Sequence, residues 1–313
     1  IPYNLISPRQ LGSIYESFLE FQPEYTDVKL YFLKKTVKQK NIWQWVNKEK
    51  LSKKIPENTY CVDKGDLIFS PNNKDRKTAG SYYTPAKTVD YIVKEILEPK
   101  CANATKDEIL NIKVCDPAMG SGHFLIGALN FLYKKYVELG QENKGAHEIK
   151  RDILHSCIFG VDANSSAIKL GKLSLWLQTA YPGKKLERLD DQLKNGDSLV
   201  GSMKGYHLSF NWKQQFDDVI FDAFLGNPPW ITFAGKEKVD DTYDIAYLEY
   251  LKINYPDSSG YKLNSYAMFL ERIVKLYPES SIGLVVPRTL LDNKYNRDIR
   301  RFLFGEKKGA SVK

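Results

Sequence analysis

Apolar and polar positions alternate in a strand-then-helix rhythm over most of the chain. Ile112 to Cys115 is a short apolar run. It leads through Asp-Pro and a glycine-rich turn into Phe124, Leu125, Ala128, Phe131 and Leu132, which share one helix face. Ile158 to Asp162 is a second apolar run that ends on an acid. Leu170, Leu173, Leu175, Trp176 and Leu177 then place a helix within 167–179. A third short strand ends in Asn195-Gly196-Asp197-Ser198-Leu199, Val219 to Leu225 predicts a fourth, and Ile282 to Val286 a fifth. Helices are expected from Ser265 to Leu276 and from Arg297 to Phe304. Upstream, Thr84 can cap and Pro85 can open a helix with Val89, Ile92, Val93, Ile96 and Leu97 inward, which Pro99 is expected to stop. Strand and helix in alternation, with acids or glycines at strand ends, predict an α/β fold. It is a doubly wound, mostly parallel sheet with its site at the C-terminal edge.

Two stretches depart from that rhythm. Residues 1–78 read as a smaller, mixed and mainly helical N-terminal region, set apart from a core over 79–313 by the polar linker Pro71 to Lys77. Within it Leu11, Ile14, Tyr15, Phe18 and Leu19 have helical spacing. The lysine-rich segment Lys34 to Lys54, with Trp43, Trp45 and Val46 interleaved, reads as a solvated amphipathic helix before it reads as a phosphate-binding face. Tyr60 to Ser70 predicts a strand pair around Lys64-Gly65-Asp66. Asp27-Val28-Lys29 has the acid-x-Lys spacing of some metal-dependent nucleases, but no second carboxylate stands in frame with it. The other departure, residues 231 to 262, is polar and tyrosine-rich and reads as a long loop.

Composition narrows the classes. The 313 residues carry a formal charge of +8 and a pI near 9.0, which favours a polyanionic partner. The four cysteines form no CxxC pair and the four histidines no cluster, so no metal site is expected. A reduced, cytoplasmic protein is. The longest apolar run, Phe124 to Tyr133, is too short to span a membrane. The chain begins at Ile1 without a signal-peptide pattern and is expected to be a piece of a longer polypeptide.

The chemistry gathers at strand ends. Asp116-Pro117-Ala118-Met119-Gly120-Ser121-Gly122 makes a tight loop between strand and helix, where glycine lets the backbone turn and approach a ligand. Asp116, Asp162 and Asp197 follow three successive strands. Each alone is as well explained as a helix cap. Together they suit a nucleoside, whose hydroxyls and amine need acceptors. Asn227-Pro228-Pro229-Trp230 is more specific. The prolines remove two N–H donors and fix φ, leaving a rigid ledge of acceptors that suits a planar –NH2 group. Hydrogen bonds to both amine hydrogens favour a tetrahedral, attacking nitrogen. Trp230 offers a stacking face; the alternative is a rigid turn followed by a core Trp.

In this order the motifs resemble the amino-group DNA methyltransferases that use S-adenosylmethionine, specifically the adenine-specific γ class as in type IIG restriction–modification enzymes. The resemblance covers about residues 79 to 304: Gly80 to Pro85, the Asp116–Gly122 loop, Gly160-Val161-Asp162, Gly196-Asp197-Ser198-Leu199, Asn227–Trp230, Phe269-Leu270-Glu271-Arg272 and Gly283 to Pro287. It implies a Rossmann-like class I fold and S-adenosylmethionine as cofactor. Thr84 would bind the methionine carboxylate, and Asp116, Ala118, Gly120 and Gly122 the methionine moiety. Asp162 would take the ribose hydroxyls and Asp197 the adenine amine. Asn227 and Pro228, with Pro229 and Trp230, would hold a flipped adenine of double-stranded DNA. Met119 stands where Cys is common, Asn164 where a second Asp is often found, and Trp230 replaces the more usual Tyr. The resemblance also implies two further strands and a target-recognition domain beyond the chain's end, and the nuclease of a type IIG enzyme ahead of it. Other planar amines, such as rRNA guanine or a protein glutamine amide, would fit the same ledge. A DNA-binding fragment without activity is the remaining reading.

Overall fold

Short apolar strands joined through amphipathic helices can bury both faces of a sheet only when helices or other apolar layers clad it. The computed structural model describes residues 21–37, 40–48, 55–56, 59–71, 84–140, 144–181, 188–217, 219–233, 245–260 and 263–305. The chain divides into two compact units, the first Ile14–Arg76 and the second Ile1–Ser13 together with Lys77–Lys313.

The described residues of the first unit are strands: β1 (Phe21–Tyr25), β2 (Leu30–Val37), β3 (Lys40–Asn47), β4 (Cys61–Val62) and β5 (Leu67–Pro71). β1 pairs with β5, and β3–β2–β4 form an antiparallel sheet in which Val37 pairs with Lys40. This corrects the mainly helical expectation. Over the described part of Lys34 to Lys54 the chain is antiparallel strand rather than amphipathic helix, because Trp43 and Trp45 recur every second residue beside Ile42 and Val46, a period and composition that suit a pleated surface. The strands around Lys64-Gly65-Asp66 form, but β4 pairs with β2 and β5 with β1 rather than with each other. Lys29 is committed to an exposed ion pair with Asp63 at 2.8 Å. Among the described residues no cluster of His, Cys, Asp and Glu could hold a metal. The helical spacing at Leu11–Leu19 lies outside the described residues.

The second unit opens with α1 (Ala86–Cys101) and α2 (Lys106–Asn111), followed by β6 (Val114–Asp116), α3 (His123–Glu138), α4 (Ala146–Cys157), β7 (Ile158–Asp162), α5 (Ser165–Thr179) and β8 (Leu193–Asn195). Then come α6 (Trp212–Gln215), β9 (Ala223–Gly226), β10 (Thr232–Phe233), α7 (Ile245–Asn254), β11 (Leu263–Asn264), α8 (Ser265–Leu276), β12 (Ser281–Leu284), α9 (Thr289–Asp292) and α10 (Arg297–Phe304). Pro99 sits inside α1 rather than ending it; it falls in the last turn, where few backbone bonds remain to be lost. The expected loop 231–262 contains α7. Its apolar residues, Ile245 and Ile253 exposed and Tyr247 and Leu251 buried, lie all round the helix and so give no period.

Five strands make one parallel sheet in the order β12–β9–β6–β7–β8. Side chains alternate between its faces. Val114, Ile158, Ala223 and Leu225 join the cluster built with α1, α3 and α4. Cys115, Phe159, Val161 and Phe224 join an aromatic cluster with Phe210, Trp212, Phe216 and Phe221. From β6 the chain proceeds outward to β7 and β8, then returns to β9 on the other side of β6. The order reverses between β6 and β9, where ligands of doubly wound sheets are held.

Candidate nucleoside and amine site

Asp116 ends β6 opposite Gly160, Asp162 ends β7 opposite Asn195, and Gly226 ends β9 opposite Leu284. The parallel register therefore brings the motifs to one edge. Asp116 is 1% exposed, and its Oδ1 accepts from Ala118 N at 3.0 Å. Gly226 must be glycine, since a Cβ there would lie 2.6 Å from Asp116 Oδ1. Asp162 Oδ2 accepts from Gly120 N at 2.9 Å and Oδ1 from Asn164 N at 2.7 Å. Asn164 caps α5, accepting from Ser166 N at 2.9 Å, a task that Asn performs as well as Asp.

Gly120 (φ 51°) and Gly122 (φ 85°) carry the loop through left-handed conformations. Their N–H groups are already donated, Gly120's to Asp162 and Gly122's to the Met119 carbonyl at 2.8 Å. What the two glycines offer a ligand is a low wall without side chains. Met119 is buried beneath the loop. A Cβ on Gly160 would meet its Sδ at 2.6 Å, and one on Gly171 its Cε at 2.1 Å.

No cationic side chain pairs with Asp116 or Asp162 among the described residues. Burial pushes Asp116 up to about 8, eased by the Ala118 N–H and reinforced by the neighbouring Asp162 charge. Burial also raises Asp162, against the pull of the Asn164 and Gly120 N–H groups. Asp197 is raised by burial as well, opposed by the Leu199 N–H, Tyr206, Tyr247 and Arg272. Three acids held above their ordinary range with little countercharge favour a ligand that brings positive charge or several donors.

The ledge is assembled by residues remote in sequence. Asn227 Nδ2 donates to Thr84 Oγ1 at 3.1 Å, which turns the amide oxygen the other way. Thr84, 7% exposed, keeps its own hydroxyl proton to give. The Ser265 hydroxyl donates to the Pro229 carbonyl and accepts from Ile231 N at 2.8 Å. Pro229's carbonyl is therefore structural, whereas no donor among the described residues reaches the Pro228 carbonyl. Trp230 is 43% exposed, with its Nε1 donating to the Val285 carbonyl at 3.2 Å, which excludes the core-Trp alternative. Gly80 to Tyr83 lie outside the described residues. Sequence reasoning missed the roles of Ser265, Tyr206 and Tyr247. Each acts through a contact 9 to 50 positions away, and the tyrosines stand in stretches without a readable period.

The chain is similar to known proteins over much of its length. The Eco57I restriction-modification methylase family matches residues 156–311. A type II restriction enzyme and methyltransferase of Escherichia coli, RM.Eco57I, is 27% identical over 247 residues, covering 70% of this chain and 24% of the relative. The adenine-specific methyltransferase PglX of Streptomyces coelicolor is 29% identical over 205 residues, 55% of this chain and 16% of the relative. Among solved structures, a DrdV–DNA complex is similar in fold, with TM-score 0.54 at 18% identity, covering 74% of this chain and 23% of that one. The chain thus spans a quarter or less of the length of each of these three. Among the described residues no helix is long and apolar enough to cross a membrane.

Proposed function

The chain is a relative of the Eco57I restriction–modification methylases, and from that premise we propose that it transfers a methyl group from S-adenosylmethionine to the exocyclic N6 amine of adenine in double-stranded DNA. The observation that carries this reading is the meeting, at the sheet's switch point, of buried Asp116 and half-buried Asp162, neither ion-paired among the described residues, with an acceptor ledge whose Pro228 carbonyl receives no donor among them. S-adenosylmethionine fits the donor set: its hydroxyls, amines and positive charge would meet Asp116, Asp162 and Asp197, and its carboxylate the Thr84 hydroxyl. The cofactor would supply a methyl group on a positively charged sulfur, open to attack by an amine.

The chain's residues do the rest. Asn227 Oδ1 and the Pro228 carbonyl accept the two hydrogens of the target amine and localise its lone pair on nitrogen, an interaction stronger in the transition state than in the ground state. Thr84 fixes the Asn227 amide, and Ser265 fixes the turn that carries Pro228. Transfer would be direct, without a covalent enzyme intermediate: the N–C bond would form as the S–C bond breaks, the neutral thioether would leave, and the methylated nitrogen would release one proton to solvent. The amine lies inside the duplex, so the base must leave the stack, and the exposed, tethered Trp230 ring gives it a surface to lie on. Adenine as target draws support from the adenine-specific relative, since the ledge alone suits any planar amine. The formal charge of +8 suits a DNA partner. Reacting the protein with labelled S-adenosylmethionine and DNA, then analysing nucleosides by mass spectrometry, tests the reading. N6-methyladenine is expected; methylcytosine, or absence of cofactor binding, would overturn it.

A further inference from the structure

Asp197 is held unlike the other two acids. Its Oδ1 accepts from the backbone N–H of Leu199 at 2.9 Å, as their oxygens accept from nearby backbone. Its Oδ2 receives two side-chain donors, the hydroxyls of Tyr206 and Tyr247, each at 3.0 Å. The two rings pack with centroids 5.5 Å apart. A carboxylate oxygen offers two lone-pair directions. Two hydroxyls fill those of Oδ2, and one N–H, the single donor to Oδ1 among the described residues, leaves that oxygen one acceptor direction. Asp197 is 8% exposed and Tyr247 7% exposed, so water does little of this holding.

We propose that Tyr206 and Tyr247 are positioning residues that keep Asp197 an acceptor-only group with one open direction on Oδ1, so that the cofactor site selects a 6-amino purine over a 6-oxo purine. The inference rests on the reading of Asp197 as the partner of the cofactor's base. Its chemical basis is polarity. An ionised carboxylate can accept from an exocyclic amine but meets a 6-oxo group lone pair to lone pair. A protonated Asp197 could donate to that oxygen, and the selection would vanish. Burial favours the protonated form here, and the two hydroxyls work with the Leu199 N–H and Arg272 against it. Tyr206 comes from the loop after β8. Tyr247 comes from α7, beyond the ledge, and packs with Phe233 and Leu251 against Leu199 and Val200. The base subsite is therefore completed by a helix on the far side of Asn227–Trp230 in sequence.

The test is calorimetry on the purified protein with S-adenosylhomocysteine and its deaminated 6-oxo analogue, S-inosylhomocysteine. Wild type is expected to favour the amino compound by about tenfold or more, since a site built around a hydrogen-bonding group rejects an analogue that cannot make the bond. Tyr206→Phe and Tyr247→Phe should each lower that ratio, and the double variant should bring it close to equality. Tyr255→Phe is the control. It removes a buried hydroxyl that donates to the Leu199 carbonyl, in the same cluster but not on Asp197, and should leave the ratio unchanged. Wild-type ratios in both tyrosine variants, or an equal loss in Tyr255→Phe, would overturn the inference. If Tyr247→Phe does not fold, the less buried Tyr206→Phe decides alone. Wild type that binds neither compound overturns the cofactor reading beneath the inference, whereas wild type that binds both equally overturns the inference only.

Discussion

The two halves of the site are held together in opposite ways. On the cofactor side, Asp116 is steadied by Ala118 and Asp162 by Asn164, each two residues on, and the Gly120 N–H crosses from the adjacent strand's loop. On the ledge side, Asn227 leans on Thr84, Pro229 on Ser265 and Trp230 on Val285, partners 143, 36 and 55 positions away. The first half is a local turn that the sheet merely presents. The second exists only when distant segments have docked. A loop read locally can keep its geometry when the ledge is disturbed, so substitutions should separate binding from transfer.

The largest separation is expected at Asn227. Asn227→Ala should lower single-turnover methyl transfer by about 10²–10³-fold, the scale for one preorganised group acting in the transition state, while calorimetry finds cofactor affinity near wild type. Loss of both together would mean that the halves form one unit. Asp116→Asn attacks the other half and has a pH signature. An Asp raised from its ordinary 3.8 to about 8 by burial favours the folded state at low pH; that contribution is fully present below 3.8 and is lost as pH rises through about 8. The neutral variant escapes the loss. Its melting temperature should match wild type near pH 3.5 and exceed it increasingly towards pH 8, while cofactor binding weakens at neutral pH; a constant difference across the range would refute the assignment. Ser265→Ala removes the partner of the Pro229 carbonyl and the Ile231 N–H, and should cost about 1–3 kcal/mol of stability. Transfer should fall and cofactor affinity should not. The smallest effect on the fold is expected at Trp230. Trp230→Ala should change unfolding free energy by well under the ~3–5 kcal/mol of a core aromatic, yet weaken capture of an unstacked base by about 1–3 kcal/mol.

Legibility in the sequence follows the same division. Strand ends marked by Asp116, Asp162 and Gly226, and the helices at Ser265–Leu276 and Arg297–Phe304, follow from apolar spacing because each is a short-range pattern. Ser265 is invisible there, since nothing near it in sequence tells of a carbonyl 36 positions upstream. Helix α7 escapes because Ile245, Tyr247, Leu251 and Ile253 surround its axis. The lysines of 34–54 invite a helical reading through their propensity, while the two-residue recurrence of Trp43 and Trp45 holds the correct one. Lys106–Asn111 is a plain oversight of sequence reasoning, because Thr105 and Glu108 spell a capping box, with Thr105 N to Glu108 Oε2 at 2.7 Å.

Met119 fills the space that Gly160 on β7 and Gly171 on α5 leave open, and this constrains the order in which related chains can change. While Met119 is present, an alanine at 160 or 171 must displace a buried thioether. Once a smaller residue such as Cys occupies 119, an alanine at 171 would fill a void, whereas one at 160 would still meet Leu125 Cδ1 at 2.9 Å. Positions 119 and 171 are therefore expected to be inherited as a pair. A substitution harmful in this background becomes neutral in another, and a thermal double-mutant cycle between Met119→Cys and Gly171→Ala should return a coupling rather than a sum.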